Sequence, residues 1–266
     1  GVLWGWEVPA YVWTKAIATG TFLMMAVWHF FNGGLESSSE MAGLITTLVF
    51  MGLTGGLLVK DIDRPDRFLY VLLRPQWKSW LVRGAYIITS FGGFVSLKLL
   101  DNYLQLGLDW LWIPGLVFAG LGAVYTAFLF NQARARDLWQ TPIQSAIHML
   151  VHAIMAGSVV MMIIAPESSQ WMANILLWGI VANVVIMAKE ILLPHDTPDT
   201  KKAIHLMTKG YYSKYFWVGI VMGSLIPIVV LNAFSSMSLI AGGLALVGIY
   251  LTEFVRIRVP QMIPLS

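Results

Sequence analysis

Two histidines, His148 and His152, stand one helical turn apart inside an apolar stretch, a spacing that puts both imidazoles on one face of a helix. Tyr11 and Lys15 lie in the first two turns of another apolar stretch, and Tyr86, Tyr125, Asn183, Glu190, Tyr250 and Glu253 lie near the ends of others. Hydroxyl, imidazole, ammonium and carboxylate groups can hydrogen-bond a polar head group and pass protons to or from it. Ionisable groups in apolar helices are costly, so they point to function. Plainer roles stand beside that one. Glu190 and Glu253 are placed to snorkel to an interface, Tyr86 and Tyr250 fit an aromatic belt, and Lys15 is either a snorkelling lysine or the buried partner of Glu7 or Glu190.

Several chemistries are excluded. Cysteine is absent, which removes disulfides, thiolate-bound zinc, Cys-ligated iron–sulfur clusters and covalently attached haem. His148 and His152 cannot supply both axial ligands of one haem from a single helix. Beyond them only His29 is at membrane depth, since His195 and His205 fall in a connection. No haem or metal is therefore expected in this chain. There is no phosphate-binding GxxxxGK[ST], no HExxH, no dinucleotide GxGxxG and no glycosylation sequon, so a soluble-type hydrolase or nucleotide enzyme is not indicated and no nucleic-acid partner is expected.

The elements that must position these groups are membrane helices. Of 266 residues, 58% are apolar and 12% charged, against roughly 25% charged in soluble domains, and mean hydropathy is +0.72. Apolar runs of spanning length place helices near 8–31, 41–60, 82–100, 113–131, 145–165, 171–190, 213–234 and 237–255. The expectation is an all-α polytopic membrane protein of about eight helices in a single integral membrane domain, residues 1–266. The connections 61–81 and 191–212 open alike, on Lys60-Asp61 with Pro65-Asp66 and on Lys189-Glu190 with Pro194 and Asp196, which suggests a four-plus-four repeat and two four-helix bundles. Gly52 with Gly56 and Gly219 with Gly223 have the spacing of close helix packing. No signal peptide is visible ahead of the first helix.

Charge is lopsided. Fifteen of the 17 Lys and Arg fall on one side of these spans, only Lys15 and Lys98 lying elsewhere. The opposite side has short acidic or neutral links. The positive-inside rule puts the basic side and both termini in the cytoplasm. The polar groups named above lie towards the same side, leaving His29, Lys98 and Asn174 for the other leaflet, so one polar pocket is expected, opening at the basic face. Quinone chemistry uses that mixture: both oxygens need hydrogen-bond partners and two protons need a base. The electrons must go to a redox centre that this chain lacks.

The stretch from Lys60 to Tyr86, KDIDRPDRFLYVLLRPQWKSWLVRGAY, resembles the NrfD-like family, the membrane subunits of polysulfide reductase and related oxidoreductases. The pattern is carried by Asp61, Arg64, Pro65, Arg67 and Phe68, then Ser79, Gly84 and Ala85. Ala18-Thr19-Gly20, Tyr125-Thr126, Pro194-His195-Asp196 and Phe216-Trp217 fit as well. The resemblance implies a haem-free subunit of a respiratory complex that binds quinone, menaquinone or ubiquinone, and exchanges electrons with an extrinsic ferredoxin-like iron–sulfur subunit, alongside a further catalytic subunit. It places Tyr125 at the quinone. Where the family supplies Asn and His early in helix one this sequence has Val8 and Tyr11, with Glu7, Tyr11 and Lys15 as replacements. Tyr11, Tyr125, His148 and His152 are the expected quinone contacts, and Asp61, Glu190, Glu7 and Lys15 the proton-exchange candidates. Arg64, Arg67, Arg74 and Lys78, interleaved with aromatics, are expected to dock the partner. The location expected is a bacterial or archaeal cytoplasmic (inner) membrane. Many family members carry the partner on the periplasmic face, which differs from the side the charge count favours. A transporter or ion-translocating subunit and a haem b anchor are the competing functions.

Overall fold

The computed structural model describes residues 5–61, 79–132, 142–192 and 198–261. Among them the long helices are α1 (Glu7–Asn32), α2 (Ser37–Asp61), α3 (Trp80–Leu104), α4 (Trp112–Gln132), α5 (Pro142–Ile164) and α6 (Ser169–Leu192). A short α7 (Pro198–Thr208) precedes α8 (Ser213–Ile220), which continues through a π-helical turn (Val221–Leu225) into α9 (Ile226–Ala233), and α10 (Ser238–Gln261) ends the fold. Only Ile226 separates the π turn from Pro227, whose ring nitrogen has no hydrogen to donate to the carbonyl four residues back. No strand occurs among the described residues.

Among the described residues seven spans are long and apolar enough to cross a membrane: α1, α2, α4, α5, α6, α8–α9 and α10. The chain is a multi-pass membrane protein. α3 falls outside that set and carries Arg83, Lys98 and Asp101. Its 25 residues nevertheless extend about 37 Å, and it packs between α2 and α4.

Helices also outrun the apolar sequence. α10 continues to Gln261 because Val255 and Val259 pack with Ala203 and Met207 of α7 and with Tyr212 and Phe216. As a result Arg256, counted from sequence among the basic-side loop cations, is a buried helix residue, 8% exposed.

α1 contacts α2 and α4, and α3 closes the ring between those two; α5 contacts α6 and α10, and α8–α9 closes the second ring. Two four-helix bundles result, joined through α1 with α5, α4 with α5 and α1 with α10. At the centre Gly20 and Gly157 meet backbone to backbone. A Cβ on Gly20 would collide with the Ala153 carbonyl, and one on Gly157 with the Gly20 carbonyl. Gly223 meets Gly248 of α10 in the same manner. The expected contact at Gly52 and Gly56 is not made among the described residues. None of them lies within 4 Å of a Cβ at either, because α2 is an outer helix and that face is exposed.

The end remote from the basic loops is more structured than its short links suggested. Lys98 Nζ lies 2.6 Å from Asp101 Oδ2 and 3.6 Å from Glu40 Oε1. Asn102 donates to Glu40, and Asp101 Oδ1 accepts the Leu108 N–H at 2.8 Å. These bonds tie α2 and α3 to the turn that starts α4.

Candidate functional site

At the opposite end, where α1, α3 and α5 begin and α4, α6 and α10 finish, the polar residues collect. His148 and His152 are each 2% exposed, their ring centroids 4.4 Å apart. Asn183 of α6 is wedged against both: its Oδ1 lies 2.6 Å from His148 Nε2 and 2.9 Å from His152 Nε2. His152 Nδ1 sits 2.8 Å from Glu253 Oε1 of α10, an ion-pair distance without the alignment of a hydrogen bond. Glu253 is buried and interacts electrostatically with Lys15 and Arg256. Arg256 in turn forms a buried ion pair with Glu190 of α6.

Lys15 neither snorkels nor pairs with Glu7 or Glu190. Its Nζ donates to Thr126 Oγ1 at 2.7 Å and to the Ala123 carbonyl at 3.1 Å, and it lies 4.9 Å from the Tyr125 ring centroid. Thr126 and Ala123 are on one face of α4, so their oxygens replace the water that the ammonium has lost. Tyr125 is buried in one cluster with Tyr11, Val8, Val12 and Met149. Its ring rests on Gly84 of α3, where any Cβ would strike it. This gives the Gly84-Ala85 of the sequence pattern a physical reason: the glycine leaves room for the tyrosine.

The structure therefore brings Tyr11, Lys15, Tyr125, His148, His152 and Glu190 to one end of the fold. Glu7 stands apart in the first turn of α1, with Lys60 Nζ 3.8 Å from its Oε1 and the lysine side chain largely exposed. Asp61 ends α2, and its side chain lies outside the described residues, as do Arg64, Arg67, Arg74 and Lys78 altogether.

Sequence reasoning left Glu253 undecided between pocket and interface and did not single out Arg256. Their i, i+3 spacing on one helix was the available signal. Tyr250, placed in an aromatic belt, stands edge-on to Trp13 at 6.2 Å.

The two bundles are built alike around this site. Lys15 and Tyr11 precede Gly20 by five and nine residues, and His152 and His148 precede Gly157 by the same intervals. Each glycine marks the α1–α5 crossing. From it, Lys15 reaches α4 and His152 reaches α10, the last helix of its own bundle in both cases. Among the described residues no group of three His, Cys, Asp or Glu is arranged to hold a metal ion.

A multi-pass helical membrane protein with an ionisable cluster buried at one end is the class that fold and site define. Residues 1–264 match the family described as polysulphide reductase, NrfD, and the chain belongs to that family. Membership makes it a membrane subunit of the polysulfide reductase and related type, with a redox role at that coarse level. A search of curated proteins finds no match.

Proposed function

We propose that the chain is the quinone-reactive membrane subunit of a respiratory oxidoreductase complex in a bacterial or archaeal inner membrane, and that residues 1–266 act as one domain. It binds quinone or quinol at the end where Tyr125, Tyr11 and the histidines collect. Electrons pass to or from an extrinsic ferredoxin-like iron–sulfur subunit docked on the basic connection, and a further subunit completes the terminal reaction. Menaquinone and ubiquinone both suit this chemistry.

The observation that carries the reading is the buried hydroxyl, imidazole and carboxylate set around Tyr125 and His152 in a chain of the NrfD family. A quinone needs hydrogen bonds at two oxygens and an exchangeable proton for each electron, and this end of the fold supplies both kinds of group. The phenol of Tyr125 donates to one quinone oxygen, with the Lys15 ammonium fixed above its ring. Asn183 holds His148 and His152 through the Nε2 of each ring, and the two imidazoles stand as proton carriers. Their rings share one amide, an arrangement that serves proton traffic and offers no pair of axial positions for haem b.

The test is quinol-dependent reduction of the iron–sulfur partner in the purified complex, with menaquinol and ubiquinol analogues. Turnover with one of them, a spectrum without a Soret band and a rise in quinol KM on Tyr125→Phe support the proposal. Losing one hydrogen bond to a buried acceptor costs about 1–3 kcal/mol. A complex that neither oxidises quinol nor reduces quinone overturns it.

A further inference from the structure

We infer that Glu253 and His152 form a single proton-holding pair through which the protons of the quinone reaction enter and leave the site. The inference rests on the proposed quinone function and identifies the proton-exchange group within it.

With Asn183 Oδ1 accepting, both imidazoles donate through Nε2, and His152 Nδ1 then faces Glu253 Oε1 at 2.8 Å. Two bare lone pairs at that distance repel. The contact is favourable only where one of the two atoms carries a proton: with the amide set this way, as imidazolium beside carboxylate or as imidazole beside carboxylic acid. Turning the Asn183 amide over, so that its NH2 donates to both rings, leaves a neutral His152 protonated at Nδ1 beside the Glu253 carboxylate, one proton fewer on the pair but again one at the contact. Both side chains are withdrawn from solvent, Glu253 5% and His152 2% exposed, so the proton cannot be exchanged freely with water.

Charged groups surround the pair. Lys15 from α1 and Arg256 from α10 act on Glu253, while Arg256 and His152 act on His148 of α5. Glu190 of α6 is held by Arg256, so Arg256 is already neutralised. Lys15 bonds to neutral oxygens in its two hydrogen bonds and acts on the pair through Glu253. An imidazole and a carboxyl group in contact are suited to proton relay.

In each pass one O–H bond of quinol breaks as an N–H or O–H bond of the pair forms, and the proton held before leaves towards the basic face. Two passes, with two electrons taken by the iron–sulfur partner, give quinone. Quinone reduction runs the same steps backwards. Glu253 thereby joins the proton-exchange candidates of the sequence, Asp61, Glu190, Glu7 and Lys15, of which Glu190 is ion-paired to Arg256 and Glu7 lies near the surface.

The test uses the whole complex in lipid nanodiscs and compares wild type with Glu253→Gln, Glu253→Asp and Lys15→Met. Proton-transfer groups contribute about 10²–10⁴ in rate, so Glu253→Gln is expected to lower kcat about 100-fold or more. Quinol KM should stay within a few-fold, and the iron–sulfur partner should be retained at normal stoichiometry. Redox-induced infrared difference spectra should show a carboxyl signal in wild type that Glu253→Gln lacks. Glu253→Asp should recover part of the rate, and Lys15→Met should change its pH dependence. Wild-type kcat and pH profile in Glu253→Gln overturn the inference. Should that variant fail to assemble, an unchanged pH profile in both Glu253→Asp and Lys15→Met overturns it instead. A wild-type complex inactive with every quinol removes the proposed function and this inference with it, whereas an active wild type beside an unaffected Glu253→Gln removes the inference alone.

Discussion

Gly84 of α3 and Tyr125 of α4 are in face-to-backbone contact: a Cβ added at Gly84 would sit 2.9 Å from the tyrosine Cζ and closer still to the ring edge. The tyrosine's position is thus set by the absence of a side chain on a different helix. Inserting one methyl group into a filled site costs about 1–3 kcal/mol through displaced neighbours.

Gly84→Ala is therefore expected to move Tyr125 and raise the quinol KM by roughly 5- to 150-fold, the same 1–3 kcal/mol read as affinity. Gly93 is on the same helix with nothing within 4 Å of its Cβ position, so Gly93→Ala should leave KM unchanged. Steady-state quinol kinetics on both variants decides whether the contact matters or whether any change in α3 disturbs the site.

The α1–α5 crossing gives a second prediction, on stability. Gly20→Ala and Gly157→Ala each drive a Cβ into the carbonyl of the facing helix, and backbone cannot move aside as a side chain tip can. Both should lower the thermal midpoint of the detergent-solubilised protein and reduce assembled complex. Gly52→Ala should raise the midpoint slightly, since its position is open and alanine is favoured over glycine in a helix by about 1 kcal/mol. Equal effects at all three positions would contradict the packing described.

The long helices were legible because apolar runs of spanning length have few other readings, whereas the polar α7, inside the connection 191–212, has no such run. The ionisable residues towards one leaflet, Tyr11, Lys15, Tyr125, His148, His152 and Glu190, were legible as a set for the same reason, since each is costly where it lies. Partners were not legible. The sequence leaves Lys15 between the interface and a carboxylate partner, whereas its hydrogen bonds go to Thr126 and Ala123 of α4, oxygens that no charge pattern advertises. Arg256 was counted as a loop cation because an apolar run cannot show where a helix ends once it passes beneath another element, here α7 and α8. The Gly52/Gly56 spacing was read as a contact, although spacing alone does not say which face of α2 meets a neighbour.

The Glu190–Arg256 pair supplies a third prediction. Both groups are buried, 6% and 8% exposed, and removing one partner of a buried pair costs about 3–5 kcal/mol because the other charge is left uncompensated. Arg256→Leu should destabilise the protein strongly, while Arg256→Leu with Glu190→Gln should recover most of the loss. The cycle is read from thermal midpoints of the four proteins. Additive losses would mean that the pair contributes as two separate residues and that Glu190 has another partner of equal weight.

The last prediction concerns the basic connection after α2, which lies outside the described residues and rests on sequence. Arg64, Arg67, Arg74 and Lys78 fall within 15 positions, interleaved with Phe68, Tyr70, Trp77 and Trp80, the mixture of apolar core and charged rim that protein interfaces use. A loop that only sets topology needs the charges and not the aromatics. Charge complementarity acts mainly on association and is screened by salt. Reversing Arg67 and Arg74 to Glu should release the iron–sulfur partner during purification, at a lower salt concentration than wild type requires, while the membrane subunit still inserts. Reversing Lys201 and Lys202 on α7, exposed cations on the same side, should leave the partner bound. Partner retained at normal stoichiometry and salt resistance after the Arg67 and Arg74 reversal would remove the docking role and leave these arginines as topology signals.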